Sequence, residues 1–124
     1  SGYGTAIVGT VSGTSISFGS EVVFESADSS YMSVIFDSNS NNVVIVYQDN
    51  GNSGYGTVIV GTVYSSIYSI SFGSSVVYES SSTYFNYSTL DSNSNKVVFP
   101  APDGPTKANI LPCSATKLSI FVAA

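Results

Sequence analysis

Apolar residues in this chain fall in short runs separated by Gly, Ser and Asn, which is strand punctuation and not the spacing of a helix face. Tyr3 to Val11 reads as a strand, and so does Ser15 to Phe24, with Gly19 as a bulge or kink. Tyr31 to Phe36 follows, then a polar turn from Asp37 to Asn42, then the run Val43 to Tyr47. Beyond the loop Gln48 to Gly54 the pattern predicts strands over Tyr55 to Val63, Ile67 to Tyr78, Tyr84 to Leu90 and Lys96 to Phe99. Ala6-Ile7-Val8, Val22-Val23-Phe24 and Val43 to Val46 are continuous and do not alternate. A strand with one wet face alternates, whereas a continuous run implies burial on both faces. Sheets with a neighbour on each side satisfy that pattern. A two-sheet β-sandwich, the alternative, predicts cleaner alternation.

The pattern also repeats. Ser1-Gly-Tyr-Gly-Thr-Ala-Ile-Val-Gly-Thr-Val11 returns as Ser53-Gly-Tyr-Gly-Thr-Val-Ile-Val-Gly-Thr-Val63, with one change in eleven positions. Ser15 to Ser20 returns unchanged as Ser69 to Ser74, and Asp37-Ser-Asn-Ser-Asn41 as Asp91 to Asn95. The offset is 52 residues at first and 54 later, because the second copy gains two residues near Tyr64 to Tyr68. Four short strands per period of this length is the count of a propeller blade. The expected fold is therefore all-β, with β-propeller-like blades of four antiparallel strands. Residues 1–99 form one β domain of two repeats, 1–52 and 53–99.

In blade terms Tyr31 to Asp37 is innermost, Val43 to Tyr47 second, Tyr55 to Val63 third and Ile67 to Tyr78 outermost. The chain then holds the outer half of one blade, a complete blade and the inner half of another. Two blades' worth of chain cannot close a ring, so several copies close it together or the chain is a piece of a longer array. The repeat breaks at Pro100. All four prolines lie in the tail 100–124, where only Leu118 to Val122 reads as a further strand.

The stretch from Asp37 to Val63 resembles the repeat units of β-propeller proteins of aquatic microbes and viruses. The resemblance covers about residues 1–99. It implies a propeller fold and an extracellular setting, and it carries no catalytic residues with it.

Composition narrows the functions. Only 9% of residues are charged, the net charge is −5, and there is no His, Trp or Arg. Lys96, Lys107 and Lys117 are scattered, so the clustered cations that nucleic acid requires are missing. Low charge with abundant Ser, Thr and Asn resembles secreted proteins that meet or carry sugars. No apolar run approaches the about 18 residues of a membrane helix. Cys113 is alone and reads as a buried thiol or a bridge between chains.

Asp37, Asn39 and Asn41, and again Asp91, Asn93 and Asn95, have the D-x-N-x-N spacing of a calcium loop. The glycine at position six and the glutamate at position twelve are absent, and Asx turn chemistry explains the same residues. Asp49 and Asn50 open a turn that faintly resembles the Asp-box of sialidase-like propellers, without its Trp or its upstream Ser. Tyr3 and Tyr55, beside Gly-rich loops, are the candidates for stacking a sugar, with Asp49 and Asn50 as polar partners; strand packing is the competing explanation. Asn86-Tyr87-Ser88 is an N-glycosylation sequon, and Ser80 to Thr83 is a run suited to O-glycans.

Without His, neither a Ser–His–Asp nor a Cys–His arrangement can be built. Glu21 and Glu25 could supply a carboxylate pair, but Glu21 becomes Ser75 in the second copy and a solvated strand face explains them. No cofactor is expected. Two readings follow. The first is a non-catalytic extracellular structural subunit that self-assembles into a ring, array or filament. The second is a lectin-like carbohydrate-binding module.

Overall fold

The computed structural model describes residues 2–84, 88–91, 94, 96–100 and 118–122. Their regular structure is antiparallel β-sheet apart from one 3₁₀ turn. The strands are β1 (Tyr3–Ala6), β2 (Gly9–Ser12), β3 (Ser15–Phe18), β4 (Val22–Asp37), β5 (Asn42–Asp49), β6 (Tyr55–Tyr64), β7 (Ser69–Phe72), β8 (Val76–Ser82), β9 (Thr89–Asp91), β10 (Lys96–Pro100) and β11 (Leu118–Val122).

Strand β5 is the centre. Val44, Ile45, Val46, Tyr47 and Gln48 are all buried, so the continuous run there does have both faces covered. Successive side chains point to opposite faces. Val44 and Val46 pack with Val97, joined by Ile35, Val58, Tyr78 and Leu90. Ile45 and Tyr47 pack with Ile59, joined by Ala6, Phe24 and Phe72. The middle sheet β4–β5–β6 with β7 and β8 therefore has the amino-terminal strands against one face and β9–β10 against the other.

The two sequence copies pair in one register. Tyr3, Gly4, Thr5 and Ala6 face Asp28, Glu25, Val23 and Val22; Tyr55, Gly56, Thr57 and Val58 face Ser82, Glu79, Val77 and Val76. Register shifts fall at the same two steps in each copy. Gly9↔Phe18 through Ser12↔Ser15 likewise match Gly61↔Phe72 through Tyr64↔Ser69. The hairpin β4–β5 closes as Asp37↔Asn42, and β9–β10 closes as Asp91↔Lys96.

Several sequence expectations need redrawing. Tyr3 to Val11 is not one strand, because Ile7 and Val8 separate β1 from β2. Ser15 to Phe24 and Ile67 to Tyr78 are likewise broken, between β3 and β4 and between β7 and β8. The segment after Phe24 does not loop out before Tyr31. It runs on as the 16-residue β4, bent at Tyr31 (φ 49°), so its first part pairs with β1 and its second with β5. The runs at Ala6 to Val8 and Val22 to Phe24 are also less covered than continuity implied, with Ile7 and Val23 each about half exposed.

Repeated glycines make the pairing possible. A Cβ on Gly56 would lie 2.7 Å from the Tyr78 ring, and one on Gly4 2.5 Å from the Phe24 ring. One on Gly61 would lie 2.7 Å from the Phe72 ring. Each glycine leaves room for an aromatic side chain of the neighbouring strand.

A Gly56→Ala substitution should thus destabilise the fold by about 1–3 kcal/mol through overpacking. Gly73, whose added Cβ would meet only Val60 O at 3.8 Å, should tolerate Ala within about 0.5 kcal/mol. Urea unfolding of the two variants measures the difference.

Candidate functional site

The loop after β5 gathers polar residues at one end of the sheets. Asp49 caps the 3₁₀ turn Asn50–Asn52, its Oδ1 accepting from the Asn52 N–H at 3.2 Å. Ser53 (φ 60°) and Gly54 (φ 74°) then turn the chain back into β6. Asn50 Nδ2 donates to Asp28 Oδ2 at 2.9 Å and Ser30 Oγ at 3.0 Å, and Asp28 Oδ1 accepts from the Gly2 N–H at 3.1 Å. Tyr3 lies opposite Asp28, and Tyr55 lies opposite both Asp49 and Ser82. The four sugar-site candidates Tyr3, Tyr55, Asp49 and Asn50 thus share one end of the molecule. Tyr3 is exposed and Tyr55 half-buried, while Asp49 and Asn50 already serve the turn and the tie to β4. Nearby, buried Gln48 accepts from Ser30 Oγ and donates to Ser82 Oγ, joining β4, β5 and β8.

Asp37 is buried in the opposite turn. Its Oδ1 accepts from the Asn39 N–H at 2.9 Å and its Oδ2 from Ser40 Oγ at 2.5 Å. Asn41, at φ 58°, donates its side-chain amide to Val63 O. Asp91 repeats part of this, accepting from Ser94 Oγ at 2.6 Å. Turn formation accounts for these oxygens, and no acid cluster among the described residues has the make-up of a metal site. Asn86, Asn93, Asn95 and Cys113 lie outside the described residues.

Glu25 is not a member of a solvated face. It is half-buried, accepting from Tyr47 Oη at 3.1 Å and from the Ala27 N–H at 2.9 Å. Glu79 makes the matching bond to the Ser81 N–H. The bulges opposite Gly4 and Gly56 leave those N–H groups without a ladder partner, and the glutamates supply one. Retention of Glu at both positions was the available signal. Glu21 lies outside the strands altogether.

The most distinctive surface is apolar. Ile59 and Ile70 in the second copy are 3% and 6% exposed, whereas their first-copy equivalents Ile7 and Ile16 are 48% and 54% exposed. Phe18, matching Phe72, is bare as well. On β4, Met32, Val34 and Phe36 form a further exposed apolar row. Between this row and β1 lies a cavity of about 290 Å³, lined by Ala6, Ile7, Phe24, Met32, Val34 and Ile45 among others. Where Ala6 and Phe24 face that cavity, their equivalents Val58 and Tyr78 pack with Ile35, Val44 and Val46.

Set against known families, curated proteins and solved structures, the chain matches none. No helix among the described residues is long and apolar enough to cross a membrane.

Stability should depend on pH through these side chains. Burial, followed by the negative charge of Glu25, holds the Asp49 carboxyl above its ordinary range. The folded chain then binds that proton first, and stability rises as pH falls from neutral toward about 4. Asp37 is held below the ordinary range by the Ser40 hydroxyl, with the turn N–H groups adding to it against an opposing effect of burial. Below about pH 4 the unfolded chain protonates first at that position and stability falls. Burial raises Tyr47 further and pushes Tyr78 up to about 12, so stability should also fall as pH climbs past about 10. Chemical denaturation from pH 2 to 11 should show a maximum near pH 4, shifted by Asp49→Asn; a flat profile would contradict these assignments.

Proposed function

We propose that this chain is a non-catalytic structural subunit that self-assembles through its β-layers into an extracellular ring, array or filament. The observation that carries the reading is the unequal cover on equivalent side chains: Ile59 and Ile70 are buried where Ile7 and Ile16 are bare. A surface built on the pattern of a buried one is the expected mark of an interface, and apolar patches of this kind are unusual on a free monomer. In this reading the stacked layers are propeller-like blades, and a second copy covers the amino-terminal layer as that layer covers the middle one. Contact between unlike surfaces is heterologous, so it closes into a ring or continues as a filament according to its rotation.

The extracellular setting rests on low charge and on the Ser-, Thr- and Asn-rich composition. A glycan at Asn86 belongs to the same proposal. The lectin-like alternative draws on Tyr3 and Tyr55 at one end of the sheets, but Asp49 and Asn50 are already engaged there, which favours assembly.

Sedimentation velocity and negative-stain electron microscopy should show oligomers that grow with concentration. Ile7→Glu with Phe18→Glu changes side chains already open to solvent, so folding stability should shift by about 0.5 kcal/mol or less while assembly is lost. A wild-type chain that remains monomeric at high micromolar concentration would overturn the proposal.

A further inference from the structure

We propose that copies join by strand exchange: β11 leaves the edge of β10, and residues 6–10 of a second copy take its place. The inference rests on the self-assembly reading and specifies its interface.

Strand β11 sits where the repeat puts something else. It pairs with β10 from Lys96↔Val122 to Pro100↔Leu118, and β6 pairs with β5 from Asn42↔Thr62 to Val46↔Val58. Subtracting 54 from the β10 numbers gives the β5 numbers, so β11 occupies the register position of Val58–Thr62. Its sequence shares none of the five residues found there, whereas Ala6 to Thr10 shares four. Phe121 falls at the position of Gly61, where the repeat leaves room for an aromatic ring. Pro100 gives β10 no N–H at its last residue. By sequence and by register, the better occupant is the first strand segment of the repeat.

Within one molecule that occupant cannot arrive. Ala6 belongs to the cluster on one face of β5–β6, and Val97 of β10 to the cluster on the other. Only a second copy can bring the two together. The exchange would also fill the cavity beside Ala6 and Phe24. In the second repeat Ile35, Val44 and Val46 occupy the corresponding space, and positions 89, 98 and 100 of the incoming hairpin follow them by 54 residues. The expected pairs across copies, translated from β5–β6, are Val97↔Gly9, Val98↔Val8, Phe99↔Ile7 and Pro100↔Ala6.

Cysteine pairs in a Cys113→Ser background test this. Phe99→Cys with Ser119→Cys joins β10 to β11, which face each other at those positions. Phe99→Cys with Ile7→Cys reports the exchanged register, and Val97→Cys with Ile7→Cys is the register control. The expected result is a ladder of covalent multiples for Ile7–Phe99 on a non-reducing gel and a much weaker one for the control. The locked variant should stay monomeric when oxidised and assemble on reduction, which separates locking from misfolding. Oligomers that form equally well with the lock closed, and without an Ile7–Phe99 ladder, would overturn strand exchange and leave self-assembly standing. A wild-type chain that forms no oligomers at any concentration would overturn both.

Discussion

The structure depends on the burial of β5 from both sides. Val44 and Val46 need one apolar layer, and Ile45 and Tyr47 need another. Each fully buried side chain of this size is worth about 1.5–3 kcal/mol, so neither face can be left in water in a domain of marginal stability. A strand of this kind requires a sheet on each side of its own. The chain meets that requirement by using its repeat twice, with Ala6 and Phe24 over one face and Leu90 and Val97 over the other. Such a layer presents outward the same type of face that it covers inward. On the amino-terminal layer that outward face, with Ile7, Ile16 and Phe18, is exposed.

How much of this the sequence revealed follows from what each signal encodes. The all-β class and the matching of the two copies were legible because strand pairing follows local residue pattern, and nearly identical segments adopt the same register. The double-sided cover expected of the run Val43 to Val46 was legible for the same reason, with Val44, Ile45 and Val46 buried and Val43 half-buried. The break at Ile7–Val8 was not placed, because the apolar run continues through it; Gly19 was marked as a bulge or kink, but that the strand ends there depends on close packing between the two repeats. An added Cβ on Gly19 would collide with the backbone oxygen of Tyr68, a contact that no local pattern contains. The run from Val22 to Asp37 looked interrupted by Ser, Ala and Asp. It forms one strand because two different partners, β1 and β5, take its two halves.

The polar candidates separate in the same way. Asp37 and Asp49 were readable as turn residues because their partners lie two or three positions away in sequence. Glu25 was misread because its partner Tyr47 lies 22 residues away and its local role, holding the Ala27 N–H, exists only once the bulge forms. The bulge falls beside Gly4, whose missing Cβ leaves room for the Phe24 ring. Glycine, aromatic ring, bulge and glutamate form one linked device, repeated as Gly56, Tyr78 and Glu79. Tyr47 extends the device into the core: its ring packs edge-on to Phe24 at 5.2 Å while its hydroxyl reaches Glu25.

A repeat that demands a neighbour at every layer creates a hazard at its ends, since an uncovered β-edge pairs with whatever strand it meets. The two ends of this chain handle the hazard differently. At the amino-terminal layer the apolar side chains of Ile7, Ile16 and Phe18 stand open, and β1 has only β4 as a partner among the described strands. At the other end β10 is paired on both edges, by β9 and by β11, so its hydrogen-bonding groups are occupied within the chain. An open apolar face at one end is thus set against a strand paired on both edges at the other. That asymmetry is written in the sequence: the edge of β10 is covered by β11, whose residues do not follow the repeat, while the apolar side chains of the amino-terminal layer follow the repeat and stand uncovered.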